Sequence, residues 1–336
     1  GSAPIDLDRA VVRTRSVLLA RTLATAPSNI ENPAWLARQA VTMARSAGLT
    51  STVWTERSLA TEGFGGLLAV GGGSATGPRL VQLDWRPVGT PKRGAEPVVL
   101  VGKGITFDTG GLDLKTADGM LAMKTDMSGA AIVLAVLTAC QELAVPFPVT
   151  GLLPLAENAI SGAAYRPSDV ITQYGGTTVE IGNTDAEGRI VLADALAYAA
   201  TRLAPRAIID IATLTGHARI ALSRALAPVF GTSDPLVDAL IAAGETTGET
   251  LWRMPLPTAY RADLSSEVAD LAHVVPGGVA GAVYAALFLR EFVGEVPWAH
   301  LDIAGPGRSD DDAGIFAKGA TGFGTRLLLR YLEGMS

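Results

Sequence analysis

The first pattern along the chain is helical. Val11, Val12, Val17, Leu18, Leu19 and Leu23 recur at steps close to a helical turn and predict a helix over Asp6–Thr25. The break Ala26-Pro27-Ser28-Asn29 ends it. Asn32-Pro33 then opens a second helix, with asparagine as N-cap and proline at the first helical position, running to about Ala47 and stopping at Gly48. Short apolar segments at Thr52–Trp54, Leu67–Val70, Leu80–Trp85 and Val98–Val101, set between Gly- and Pro-rich turns, are expected strands. Beyond them the two periods alternate. Helices are expected at Ala130–Leu143, Gly188–Leu203, Asp234–Ala243, Gly281–Phe292 and Thr325–Leu332, with strands at Val149–Pro154, Ala207–Ala212 and His300–Ile303. Such alternation predicts an α/β fold: a three-layer domain with a central mixed, largely parallel β-sheet covered by helices. There is no internal repeat and no dividing linker, so residues 3–336 are expected to form one domain.

Composition narrows the function classes. With 48% hydrophobic and 18% charged residues in 336, a large core can be buried. A net charge of −6 gives no basic footprint for nucleic acid. Cys140 is the only cysteine, which excludes a disulfide framework and a thiolate metal cluster; within the apolar run Ala130–Leu143 it reads as an inert core residue. Residues 1–25 carry Asp6, Asp8, Arg9, Arg13, Arg15 and Arg21 without an uninterrupted apolar core, so no signal peptide is expected. No stretch reaches the roughly 18 uncharged apolar residues of a membrane span. A soluble, cytoplasmic protein with no membrane partner is the expectation, and Gly1-Ser2 reads as a scar of tag removal.

Two stretches concentrate chemistry. In residues 178–196, TVEIGNTDAEGRIVLADAL, a β-branched run meets a helical pattern, and Asp185, Glu187 and Arg189 crowd the junction. Charges bunched there are costly unless a cation, a substrate or solvent takes them up. In residues 98–127 an apolar strand delivers Gly102-Lys103-Gly104, followed by Asp108, the turn Gly110-Gly111, Lys115 and Asp126. Polar residues at the carboxyl end of a strand, beside glycines that permit close backbone approach, are where open α/β sheets place ligands. Gly102-Lys103-Gly104 lacks the spacing of a phosphate loop, and residues 71–77, GGGSATG, lack the dinucleotide fingerprint and read as a plain loop. The three histidines, His217, His273 and His300, make a histidine-rich zinc site unexpected. Asp108, Asp126, Asp185 and Glu187 could instead form an oxygen-rich site for two divalent ions. Singly, each acid has a plainer reading: Asp126 as a helix cap, Glu187 as an acid favoured at a helix N-terminus. Their joint appearance with Lys103, Lys115 and Arg189 favours the site.

These residues carry a family resemblance. VGKGITFDTGG (101–111), Lys115, MKTDMSGAA (123–131) and NTDAEGRIVLADAL (183–196) closely resemble the leucyl aminopeptidase, or cytosol aminopeptidase, family of dinuclear metallo-exopeptidases. YRPSDVI (165–171), IDIATLTG (209–216), WRMPL (252–256), HLDIAG (300–305) and KGATGFGTR (318–326) extend the likeness from about Leu19 to the end. The resemblance implies a zinc-peptidase-like fold and a metal-dependent aminopeptidase that cleaves leucine-like N-terminal residues, broadly, from peptides with a free N-terminus. It implies two divalent ions per subunit (zinc or manganese, with magnesium a further candidate) and a hydroxide bridging them as the nucleophile. Asp108 and Glu187 would bridge the metals, Asp185 would complete the readily exchanged site, and Asp126 with the neutral amine of Lys103 the tighter one. Adjacent dications oppose protonation of that amine. Lys115 would polarise the scissile carbonyl and stabilise the oxyanion. Arg189 would hold a bicarbonate that acts as general base. Met123, Thr213 and Gly216 match positions lining the pocket for the N-terminal side chain, and Leu214 offers a backbone carbonyl.

The resemblance also implies a hexamer and a further domain ahead of the catalytic one, which is expected to be absent because catalytic-type sequence begins close to the first residue. Thr109 stands where serine is common, His217 where a small residue is usual and His273 where asparagine is commoner; the two histidines are expected in packing or surface roles rather than as ligands. Residues 305–313, GPGRSDDDA, are expected to form a loop near the substrate entrance. Two rivals remain: a two-metal phosphoesterase, disfavoured by a ligating lysine and the lack of a basic phosphate cradle, and a catalytically silent scaffold, disfavoured by the intact ionic set.

Overall fold

Side chains along Val98–Val101 alternate between two separate cores, Val98 and Leu100 on one side and Val99 and Val101 on the other, and all four are fully buried. A strand that is apolar on both faces belongs in the middle of a helix-covered sheet. The computed structural model describes residues 6–89 and 96–335, and has that organisation. The Gly1-Ser2 pair and the outer limits of the expected 3–336 domain lie outside the described residues.

In chain order the strands are β1 (Thr50–Trp54), β2 (Arg79–Trp85), β3 (Val98–Gly102), β4 (Gly104–Asp108), β5 (Val149–Asn158), β6 (Val170–Thr172), β7 (Thr178–Glu180), β8 (Ala207–Ala212), β9 (Ala227–Gly231), β10 (Leu251–Arg253), β11 (Leu271–Ala272), β12 (Trp298–Asp302), β13 (Arg308–Ser309) and β14 (Gly319–Ala320). The main sheet runs β1-β2-β5-β3-β8-β12-β9-β10, with β4 extending the pairing of β5 beyond β3. Its centre, β5-β3-β8-β12, is parallel; β1 and β2 are antiparallel, as is β9 on β12. The expected mixed, largely parallel sheet is therefore present.

The helices are α1 (Leu7–Leu23), α2 (Pro33–Ser46), α3 (Glu56–Glu62), α4 (Gly65–Gly71), α5 (Ala117–Met120), α6 (Ser128–Ala139), α7 (Glu187–Arg202), α8 (Gly216–Leu222), α9 (Asp234–Thr247), α10 (Gly281–Arg290) and α11 (Thr325–Gly334). Residues of α1, α2, α6, α9 and α11 pack on one face of the sheet, and those of α4, α7 and α10 on the other. None among the described residues is long and apolar enough to cross a membrane. The expected Asn32 cap forms, accepting from Trp35 N, and Asp6 caps the first helix by accepting from Arg9 N. Cys140 is buried in the first core, as its surroundings suggested.

One expected strand is a helix. Leu67–Val70 lies inside α4, because Gly65 and Gly66 let that segment close onto its neighbours: a Cβ on Gly66 would lie 2.7 Å from the carbonyl oxygen of Ile190 in α7. A buried Asp194 in α7 accepts the Leu67 N–H at 2.8 Å. Tertiary packing decides this short apolar run, where periodicity alone does not separate strand from helix. α3, β4, α8 and β9 are additions to the sequence reading.

Candidate metal centre

The carboxyl ends of the parallel strands converge on one place. Lys103 follows β3, Asp108 ends β4, Asn158 ends β5, residues 213–216 follow β8 and residues 303–307 follow β12. Lys103 can stand there because the N-terminus of α6 is pressed against the strand ends. A Cβ on Gly102 would lie 2.3 Å from Gly129 O, and one on Gly129 would lie 2.2 Å from Ile211 O. Lys103 N donates to Ile211 O and Lys103 O accepts from Ala130 N, so the residue bridges strand and helix.

The second stretch is carried to the first by a polar clasp. Thr184 Oγ1 donates to Gly110 O at 2.7 Å and accepts from Asp113 N at 2.9 Å. Tyr165 donates its hydroxyl to Thr184 O. From behind, the buried His273 accepts from Gly182 N and donates through Nε2 to Asn183 O, fixing the backbone that enters the cluster. Burial drops its pKa to about 4, so it is a neutral ring. His217 is exposed, and neither histidine lines the cavity below.

Asp108, Asp185 and Glu187 then face one another, with one oxygen from each lying within 4.8 Å of the others. Lys103 Nζ lies 2.9 Å from Asp126 Oδ2 and 2.8 Å from Glu187 Oε1, and donates to Thr213 O at 3.0 Å. Lys115 Nζ lies 2.7 Å from Asp108 Oδ2 and also contacts Asp185. Asp126 takes a further bond from Thr213 Oγ1, and Asp108 takes bonds from Gly110 N and Asn158 Nδ2. Lys103, Asp108, Asp126 and Glu187 are buried. Desolvation raises the Asp126 carboxyl to about 6 and that of Glu187 to about 8, with Asp108 adding to both shifts. Desolvation and Asp108 raise Asp185 as well. For the two lysines, desolvation pulls downward, but the surrounding carboxylates outweigh it and hold both ammonium groups above their ordinary value.

This donor set fits divalent cations. Among the described residues, four carboxylates face two ammonium groups, and Glu187 Oε2 is buried without a hydrogen-bond partner. Closely spaced buried carboxylates repel one another unless positive charge is placed between them. Oxygen ligands of this kind suit hard or borderline divalent ions.

The cluster forms one wall of a cavity of about 610 Å³. Lys115, Met123, Thr213, Leu214 and Gly216 line it as well. Arg189 does not; it is buried, with Nη1 donating to His273 O at 2.7 Å and Nε unpartnered, and burial lowers its pKa to about 10. Gly307, Arg308 and Asp310 put the 305–313 loop on the cavity wall.

Two features escaped the sequence reading. Asp302, at the end of β12, accepts from Leu214 N, Thr215 N, Thr215 Oγ1 and Ala304 N, and so holds both loops that frame the cavity. Its motif HLDIAG was visible, but its role depends on a loop almost ninety residues away, on the order of the whole β8–β12 separation. The cavity is also lined by Arg219, Arg224 and Arg308, which the sequence reading did not single out.

The catalytic-domain profile of the cytosol aminopeptidase family matches residues 18–329. The chain belongs to that family. A probable cytosol aminopeptidase of Syntrophotalea carbinolica is 46% identical over 317 residues, covering 94% of this chain and 63% of the relative. One from Roseiflexus castenholzii is 48% identical over 320 residues, covering 95% and 64% respectively. The chain thus spans a little under two thirds of the length of these relatives. Among solved structures, the bottromycin maturation enzyme BotP in complex with Mn superposes with a TM-score of 0.93 at 40% identity, covering 99% of this chain and 73% of that one. The α/β fold is shared with that structure.

Proposed function

We propose that this chain is the catalytic domain of a metal-dependent aminopeptidase, which removes the first residue, leucine-like but broadly chosen, from peptides with a free α-amine. The observation that carries this reading is the meeting of Asp108, Asp126, Asp185 and Glu187 with Lys103 and Lys115 on the wall of one cavity. Two divalent cations would be held by Asp108 and Glu187 in common, by Asp185 on the exchangeable side, and by Asp126 with Lys103 on the tighter side, where the cations' own charge would strip the proton that the carboxylates otherwise keep on the Lys103 amine. When bound, two divalent ions (zinc, manganese or magnesium) supply Lewis acidity and a shared, activated water as nucleophile.

The remaining work belongs to the chain. Lys115 holds the developing oxyanion through a charged hydrogen bond in a partly buried site, where such a contact is strongest. Arg189, buried and with Nε unpartnered among the described residues, would hold a bicarbonate, which would supply a general base. Met123, Thr213 and Gly216 receive the N-terminal side chain, and Leu214 offers a backbone carbonyl. A hexamer is part of the same reading, and its mass by light scattering tests that part.

The deciding experiment loads the protein with each metal, counts the ions bound, and assays leucyl p-nitroanilide beside p-nitrophenyl phosphate. Hydrolysis of the anilide alone is expected. Hydrolysis of the phosphate alone would replace the reading with a two-metal phosphoesterase, and bound metal without either activity would leave a scaffold.

A further inference from the structure

The cavity wall opposite in sequence to the acidic cluster is built from two segments, α8 with the residues after it, and the loop after β12. They are tightly joined: a Cβ on Gly305 would lie 2.2 Å from Ser223 O, and Arg224 Nη1 donates to Arg308 O. Three arginines on this wall, Arg219, Arg224 and Arg308, line the cavity. Arg224 is already matched, with Nε 3.0 Å from Asp310 Oδ2. For Arg219 and Arg308, no carboxylate among the described residues lies within ion-pair distance, and neither side chain makes a hydrogen bond to a described residue. Arg308 is nonetheless partly buried, in a short strand whose backbone is held by β14.

We propose that Arg219 and Arg308 form a carboxylate-binding subsite, so that the favoured peptides carry an acid group in this part of the cavity. The inference rests on the aminopeptidase reading for the rest of the substrate. Guanidinium groups match a carboxylate in planar, two-pronged geometry, and ones on a cavity wall with no carboxylate partner are ready to take up an incoming acid group. The carboxylate has two possible sources: the side chain of an N-terminal aspartate or glutamate, or the C-terminus of a dipeptide.

Two paired comparisons separate these sources, each made with the wild type, Arg219→Gln and Arg308→Gln. Calorimetric titration of the metal-loaded protein with free glutamate and with free glutamine isolates the side-chain carboxylate. Initial rates on Leu-Gly and on Leu-Gly-amide isolate the C-terminal one. The wild type is expected to favour the acid by about tenfold or more in one comparison, the scale of a charge-assisted bond, and each substitution to reduce that ratio severalfold. Ratios near one in the wild type, or ratios moved by neither substitution, would overturn the subsite. If neither leucyl peptide is hydrolysed while an Arg308-dependent preference for glutamate persists, the subsite stands and the aminopeptidase reading falls.

Discussion

Gly188 leaves no room for a side chain beside Lys103: a Cβ there would lie 2.6 Å from Lys103 Cε and 2.7 Å from its Nζ. The lysine head could retreat only by leaving Asp126, Glu187 and Thr213 O. Glycine in NTDAEGR is thus a packing requirement of the metal cluster, at a position whose helical backbone would accept alanine. Gly188→Ala is expected to weaken divalent-metal binding by about tenfold or more, a loss on the order of one good hydrogen bond. Chelator competition measures this, with circular dichroism as the check on folding. Wild-type metal affinity in the variant would remove the argument.

Ligand and oxyanion roles predict different losses. Asp108→Ala and Glu187→Ala are expected to lower metal content itself, because each removes an oxygen from the centre of the cluster. Lys115→Ala is expected to keep metal and to lower kcat by about a hundredfold or more, the usual scale for an oxyanion donor. Arg189→Ala is likewise expected to keep metal, because its Nη1 bonds His273 O rather than any of the four carboxylates, and to lower kcat, because the proposed bicarbonate loses its holder. Metal analysis beside steady-state kinetics separates the two groups. Loss of metal in Lys115→Ala would reassign that lysine.

What could be read in advance follows from how local each determinant is. The helices at 7–23 and 187–202 announce themselves through turn-length spacing, and that at 33–46 through its Asn32-Pro33 start, all of which neighbouring residues encode. Asp108, Asp126, Asp185 and Glu187 were found because ionisable residues at strand–helix junctions are rare without a task. Leu67–Val70 misled because four apolar residues suit either a buried strand or a buried helix, and Ile190 and Asp194, far along the chain, make the choice. Arg219 and Arg308 look like surface residues in sequence. Only the packing of Gly305 on Ser223 brings their segments onto one wall.

Asp302 is the internal brace of that wall. Its two oxygens accept from Leu214 N, Thr215 N, Thr215 Oγ1 and Ala304 N, with no exposure to solvent. Asp302→Ala leaves buried donors unpaired, each worth roughly 1–3 kcal/mol, so a destabilisation of about 3 kcal/mol or more is expected in urea unfolding. The loop carrying Thr213–Gly216 loses its anchor at the same time, so kcat/KM should fall beyond what reduced stability explains. A variant with the wild-type midpoint and full activity would show that another group holds the loop.

Glu31 makes the clearest pH prediction. It is 1% exposed, and neither carboxyl oxygen has a hydrogen-bond partner among the described residues. Burial pushes its pKa from the ordinary 4.5 to about 8. Between these values the folded chain keeps the proton that the unfolded chain has lost, so the native state binds more protons and stability falls as pH rises. The contribution is full below the unfolded value, declines through the window, and is level above about 8. Glu31→Gln keeps the shape and removes the titration. Its stability relative to wild type should therefore rise from pH 5 to pH 8.5, by on the order of 4 kcal/mol given about 1.4 kcal/mol per pKa unit over roughly three units of that window. Asp194 and Glu249, each raised to about 7 mainly by burial, titrate in the same direction, but they do so equally in both proteins and cancel in the difference. Thermal melts of the pair across that range measure it, and a gap independent of pH would show that Glu31 finds a cation in the folded protein.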